Sequence, residues 1–361
     1  MSALERLVVV KVGSTSVTAP DGSADEALLA SLCAQIAEVR ARGTSVVVVT
    51  SGAVATGLAA LGIATRPNEL EMLQAASAVG QPRVVRTWQD GLAPHGLLAG
   101  QVLLDPADFF SRRSYLLAGR TFAALLELGA VPVVNENDAV ADQELRFGDN
   151  DRLAALTAVL VGADQLVMLT DTPGLFTADP GRDASATLIE EVTEIDHALE
   201  AAAGASASAM GTGGMASKLA AARLATWSGI EAVVADARAE GILARVEAGR
   251  TEGATVFRAR ARPLAARKAW LAFATVPRGR VGIDAGAIAA LRSGASLLLA
   301  GVTGSDGGFA AGDAVELVVE SELVAKGLAR LGSDELAELL ALGRAPRDVV
   351  CVHRDDLVVL G

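Results

Sequence analysis

Only twelve of the 361 residues are aromatic, one tyrosine among them, so any core must be built mainly from Ala, Val and Leu. Cysteine is scarcer still: Cys33 and Cys351 stand far apart, and two thiols make neither a disulfide framework nor a zinc set. His95, His197 and His353 show no arrangement of a triad or metal cage, and neither G-x-S-x-G nor H-E-x-x-H occurs. The common hydrolase readings fall with them. No stretch of about eighteen apolar residues runs without charge, so no membrane span is expected. The start, "MSALERLVVVKVGS", has no basic leader ahead of a long apolar run, and a cytoplasmic protein is expected.

Positive charge is also in deficit. With 31 Lys and Arg against 43 Asp and Glu, the formal net charge of -12 weighs against non-specific binding to nucleic acid or anionic membrane. A protein of that charge that binds anions needs a locally positive site, built from a few lysines and helix N-termini.

What is present is a globular composition, 51% hydrophobic and 20% charged, in a chain long enough for two domains. Apolar runs at 7–12, 45–50, 98–103, 131–134, 165–170 and 231–235 predict strands. Helical patterns at 24–41, 69–93, 115–128, 151–161 and 216–227 separate them. Continuous rather than alternating apolar strands imply a mainly parallel sheet covered on both faces, an α/β three-layer sandwich. The texture changes near residue 258. A catalytic domain over 1–258, a basic linker over 259–274 ("RARARPLAARKAW" spans it in part) and a small β-rich domain over 275–361 are expected.

Sheets of this kind bind ligands outside the carboxyl ends of their strands. Those ends carry Lys11 with "GSTS"; "TSGAVATG" with Ser51; "NENDAVADQELRFGDND" with Asn135, Asp138, Asn150 and Asp151; and "TDTPGLFTADP" with Thr170 and Asp171. Each has a plainer reading alone. Lys11 could reach solvent from a strand end, Ser51 could cap a helix, and Asp151 could cap the next one. Convergence on one edge is the stronger signal.

The stretch "GTGGMASK" adds a loop, a helix start and Lys218. It is not a Walker A loop, because Ser217 precedes the lysine and Leu219 follows where a hydroxyl is required. Loop amides and a helix N-terminus still present partial positive charge to a phosphate, and a lysine there is unfavourable without an anion nearby.

Side by side, "VVVKVGSTSV", "VVVVTSGAVATG", "VPVVNENDAV", "FGDNDRLAAL", "LTDTPGLFTADP" and "GTGGMASKLAAA" resemble the amino acid kinase family, in its glutamate-phosphorylating branch, in order and spacing from residue 6 to about 235. "RSGASLLLAGV" and "VHRDD" resemble the PUA domain that many bacterial members carry. The resemblance implies the amino acid kinase fold plus a PUA-like domain. It implies transfer of the γ-phosphoryl group of ATP, with Mg2+, to the side-chain carboxylate of glutamate, the first step towards proline. Carried over by motif, Lys11 and Lys218 stabilise the transferring group and Asp151 orients them. Ser51, Asn135, Asp138 and Asn150 hold glutamate, its ammonium chiefly through Asp138. Lys11, Thr170, Asp171 and the loop of Thr212, Gly213, Gly214, Met215, Ala216, Ser217 and Lys218 line the nucleotide site. No side chain is assigned as a direct metal ligand. Inhibition by proline and a homo-oligomer are further implications.

Two alternatives stand beside it. A sister kinase acting on aspartate, acetylglutamate or another acceptor shares the phosphate site, although the glycine pattern and the C-terminal domain favour free glutamate. RNA binding by the C-terminal part is disfavoured, since residues 271–361 hold eight Arg and Lys against twelve Asp and Glu. A glutamate carboxylate is already ionised at neutral pH and needs no general base, which accounts for the missing histidine.

Overall fold

The computed structural model describes residues 6–13, 25–140, 150–181, 183, 185–196, 199, 214–273, 275–320, 322–342 and 348–360. The chain divides into two compact units, Met1–Pro263 and Leu264–Gly361.

The first unit is built on eight strands: β1 (Arg6–Val12), β2 (Thr44–Val49), β3 (Ala99–Leu104), β4 (Val131–Glu136), β5 (Gln165–Thr170), β6 (Glu191–Val192), β7 (Glu231–Asp236) and β8 (Thr255–Phe257). Their order is β3-β4-β2-β1-β5-β7-β8-β6. From β3 to β7 every neighbouring pair is parallel. Only at the far edge does the direction reverse, where β8 runs antiparallel to β7 and pairs in parallel with β6.

Runs such as "RLVVVKV" and "TSVVVV" dictate this arrangement. Their β-branched side chains suit a pleated surface, and they are buried on both faces, as a sheet sandwiched between helices requires. Helices α1 (Glu26–Ala41), α2 (Ala53–Ala60), α3 (Leu70–Leu92), α4 (Pro106–Phe110), α5 (Arg112–Glu127), α6 (Asn150–Val161), α7 (Met215–Trp227) and α8 (Ile242–Glu247) connect the strands. On one face, Leu32 and Ile36 of α1, Trp88 and Leu92 of α3, and Ile242 of α8 pack with Val8, Val10, Val46 and Val48. Strand alternation turns Val9 and Val47 to the other face. There α6 and α7 pack against each other and the sheet.

Two contacts position α3, and both matter for the site. Gly57 of α2 lies against Ala76, and Gly80 of α3 against Ala53. A Cβ on either glycine would fall 1.7 or 1.9 Å from the facing carbonyl oxygen, so only glycine allows the crossing. The fully buried Trp88 then donates from Nε1 to Thr50 Oγ1 at 3.0 Å, tying α3 to the chain leaving β2. Burying a side chain of that size stabilises by roughly 1.5–3 kcal/mol.

The second unit holds β9 (Gly279–Ile283), β10 (Leu297–Leu298), β11 (Val302–Asp306), β12 (Ala314–Val319), β13 (Glu322–Ala329) and β14 (Val350–Val359), in the order β10-β14-β13-β12-β9-β11. All pairs are antiparallel except β9 with β12. Helices α9 (Ala266–Phe273), α10 (Ala285–Arg292) and α11 (Ser333–Ala341) accompany them. Helix α9 falls within the segment read as a linker, 259–274. Its apolar residues Trp270, Leu271 and Phe273 pack with Leu328, Val358 and Leu360, so most of that segment belongs to the second unit. No helix among the described residues is long and apolar enough to cross a membrane.

Candidate active site

Lys11 is the penultimate residue of β1 and is only 4% exposed, so it does not reach solvent from the strand end. Its Nζ lies 2.6 Å from Asp151 Oδ1. Asp151 is fully buried in the first turn of α6. Because α6 starts at Asn150, Asp151 stands inside that turn rather than at the capping position, where its carboxylate favours the positive end of the helix. Lys218, the fourth residue of α7, is 5% exposed and places Nζ 3.1 Å from Asp151 Oδ2. Ser217 Oγ lies 2.9 Å from the same oxygen and 2.8 Å from Gly214 O, able to donate to either. Three elements distant in sequence thus meet on one carboxylate.

Burial alone would raise the pKa of Asp151. The attraction of Lys11 and Lys218, with hydrogen bonds from Lys11 and Ser217, outweighs that cost and holds the carboxyl below its ordinary range. Two ammonium groups thus meet one carboxylate in a buried site, where charges interact strongly.

The residue before Asp151 organises a second cluster. Asn150 Nδ2 lies 2.5 Å from Thr50 O, 2.7 Å from Asn135 Oδ1 and 2.9 Å from Ser51 Oγ. Asn135, near the end of β4, donates from Nδ2 to Gln81 Oε1 at 2.7 Å. Ser51 does not cap α2. Gly52 holds that position with φ of 98°, a left-handed conformation that suits glycine, and makes no side-chain cap. Asn150 Nδ2 cannot accept and has two protons for three oxygens, so Ser51 Oγ shares one of them at most and its own proton stays available to donate. Asp138 Oδ2 accepts from Ser77 Oγ of α3 at 2.9 Å. One turn of α6 therefore serves both clusters, with Asn150 facing the amides and Asp151 the lysines.

On the other side of β1, Thr170 ends β5 and donates from Oγ1 to Asp171 Oδ1 at 3.0 Å. Gly214 is the N-cap of α7, and Met215 and Ala216 begin the helix. Thr212 and Gly213 lie outside the described residues. Sequence reasoning missed Thr50, Ser77 and Gln81. Nothing in the helical pattern over α3 sets Ser77 and Gln81 apart from surface polar residues. Among the described residues, no three His, Cys, Asp or Glu side chains group to hold a metal ion.

The sequence model of the amino acid kinase family matches residues 6–236, and that of the PUA domain matches residues 279–345. The chain belongs to the amino acid kinase family. Among its relatives, glutamate 5-kinase 1 of Rhizobium meliloti (strain 1021) is 44% identical over 98% of this chain and 92% of that protein. The glutamate 5-kinase of Dinoroseobacter shibae is also 44% identical, over 98% of each chain. An isopentenyl phosphate kinase structure aligns with 70% of this chain and 100% of its own, with a TM-score of 0.50 and 18% identity. The UMP kinase of Ureaplasma parvum aligns with 70% and 98%, with a TM-score of 0.50 and 14% identity. These two likenesses concern the fold alone, the mainly parallel sandwich read from the strand pattern.

Proposed function

We propose that the chain is a glutamate 5-kinase, which uses ATP and Mg2+ to phosphorylate the side-chain carboxylate of L-glutamate. The observation that carries this reading is the buried Lys11–Asp151–Lys218 bridge beside the Ser51–Asn150–Asn135 cluster: a cationic site for a phosphoryl group next to a polar pocket for an amino acid.

An oxygen of the glutamate carboxylate forms a bond to the γ-phosphorus, and the bond from that phosphorus to the bridging oxygen of ADP breaks, ADP keeping the electron pair. No proton moves, because a carboxylate of pKa about 4.3 is ionised at neutral pH. The protein has two anions to bring together and a spreading negative charge to stabilise. Lys11 and Lys218 supply positive charge from opposite sides, and Asp151, held ionised, fixes their direction. Ser51, Asn135, Asn150 and Asp138 hold glutamate, with Asp138 facing its ammonium group. Thr170, Asp171 and the segment from Thr212 to Lys218 line the nucleotide side. The lysines and amides would face magnesium carried on the ATP phosphates, where it would neutralise charge.

The same reading includes proline as an inhibitor competing at the glutamate pocket, a homo-oligomer and a cytoplasmic location, with no role in nucleic-acid binding. The test is acyl phosphate formation, trapped with hydroxylamine, across glutamate, aspartate, N-acetylglutamate and carbamate. Glutamate-selective product is expected. Turnover of another acceptor without glutamate would overturn the substrate while leaving the phosphate site.

A further inference from the structure

Gln81 sits on α3, only 6% exposed, and the chemistry above makes no use of it. Its neighbours fix which way its amide points. Thr50 O is a backbone carbonyl and can only accept, so the Asn150 atom 2.5 Å from it is the nitrogen. That nitrogen also faces Asn135 at 2.7 Å and requires an oxygen there. Asn135 must then turn its own nitrogen to Gln81, and Gln81 must answer with Oε1. The orientation of each amide follows from the one before, starting at an atom that cannot flip.

The relay ends on Gln81 Nε2. This donor is buried and has no hydrogen-bond partner among the described residues. A buried orphan donor costs stability, and a methionine would fill the same volume without it. The position is polar at the expense of packing energy, and the Gly57–Gly80 crossing holds it in place.

We propose that Gln81 is a positioning residue for the acceptor pocket, an inference that rests on the kinase reading above. By accepting from Asn135 it holds that amide turned with its oxygen to Asn150, whose own polarity Thr50 O sets and whose nitrogen leaves the Ser51 hydroxyl proton to the substrate. Without Gln81, the Asn135 nitrogen loses its partner and the side chain is free to turn away from Asn150.

The experiment is steady-state kinetics and thermal melting of wild type, Gln81→Met, Asn135→Ala and the double variant. Wild-type turnover across the acceptor panel tests the kinase reading separately, and KM is then measured for whichever acceptor the wild type phosphorylates. Gln81→Met is expected to raise the acceptor KM about tenfold or more, with the ATP KM and kcat within about twofold. Its melting temperature is expected to hold or rise. In the Asn135→Ala background the same substitution is expected to change the acceptor KM by less than about twofold, because its route through Asn135 is gone. An unchanged acceptor KM in the single variant overturns the proposal. So does an equal rise in both backgrounds. Loss of the fold, or a lowered melting temperature with both KM values moving together, assigns Gln81 to packing and also overturns it.

Discussion

Strand β1 carries a cation near each end, and the two live in different surroundings. At the amino end, Arg6 donates to Glu247 O at 2.5 Å, and Glu247 also meets Arg42 at 3.3 Å and Thr44 Oγ1 at 3.0 Å. Further along the same edge, Gln165 donates to Glu231 at 2.9 Å, and Arg258 pairs with Glu231 at 2.7 Å and Glu191 at 2.6 Å. The first residues of β2, β1, β5, β7 and β6 are thus chained across the sheet edge, Thr44 and Gln165 buried and the Arg6 and Arg258 side chains 35% and 48% exposed. At the carboxyl end, Lys11, Asp151 and Lys218 are buried, and two cations share one anion. Exposed pairs of that kind are worth about 0–1 kcal/mol each. A buried ion pair of this kind is at best a weak stabiliser. Cations meet carboxylates at both ends of the sheet, through arginines partly open to water at one and through buried lysines at the other.

Breaking the buried end gives the largest effects. Lys11→Ala is expected to lower kcat by about a thousandfold, measured as trapped acyl phosphate at saturating substrates. Asp151→Asn removes the carboxylate that two buried ammonium groups share and is expected to cost about 3–5 kcal/mol in urea unfolding. That cost has a pH signature. Because the folded pKa of Asp151 is held below its unfolded value, its contribution is complete above the unfolded pKa and lost as pH falls through the folded one. The difference between wild type and Asp151→Asn should therefore be flat above about pH 5 and shrink below about pH 4.

At the exposed end, Glu247→Gln is expected to cost about 1 kcal/mol, less at high salt, with kcat unchanged. Smallest is Arg260→Ala. The Arg260 guanidinium stacks 3.6 Å from the Trp227 ring centre at the end of α7, and its loss should cost about 0.5–1 kcal/mol without altering kcat.

Much of the buried end was legible in the sequence. Valine-rich runs marked the strands, β5 falling on the residues expected, and their ends announced Lys11, Ser51, Asn135 and Thr170. Strands β6 and β8 and helices α2, α4 and α8 were missed, being too short to show a period. Capping was the plain local reading for both Asp151 and Ser51, and only the family resemblance linked Asp151 to Lys11 and Lys218. Ser77 and Gln81 were invisible, because their partners Asp138 and Asn135 lie 61 and 54 residues away and only the folded chain brings them together.

The most direct test compares the two ends in one assay: kcat for acyl phosphate formation by Lys218→Ala and Glu247→Gln beside wild type, with melting curves to confirm the fold. A loss of about a thousandfold is expected for Lys218→Ala and none for Glu247→Gln. A folded Lys218→Ala variant retaining kcat within about tenfold of wild type would contradict it.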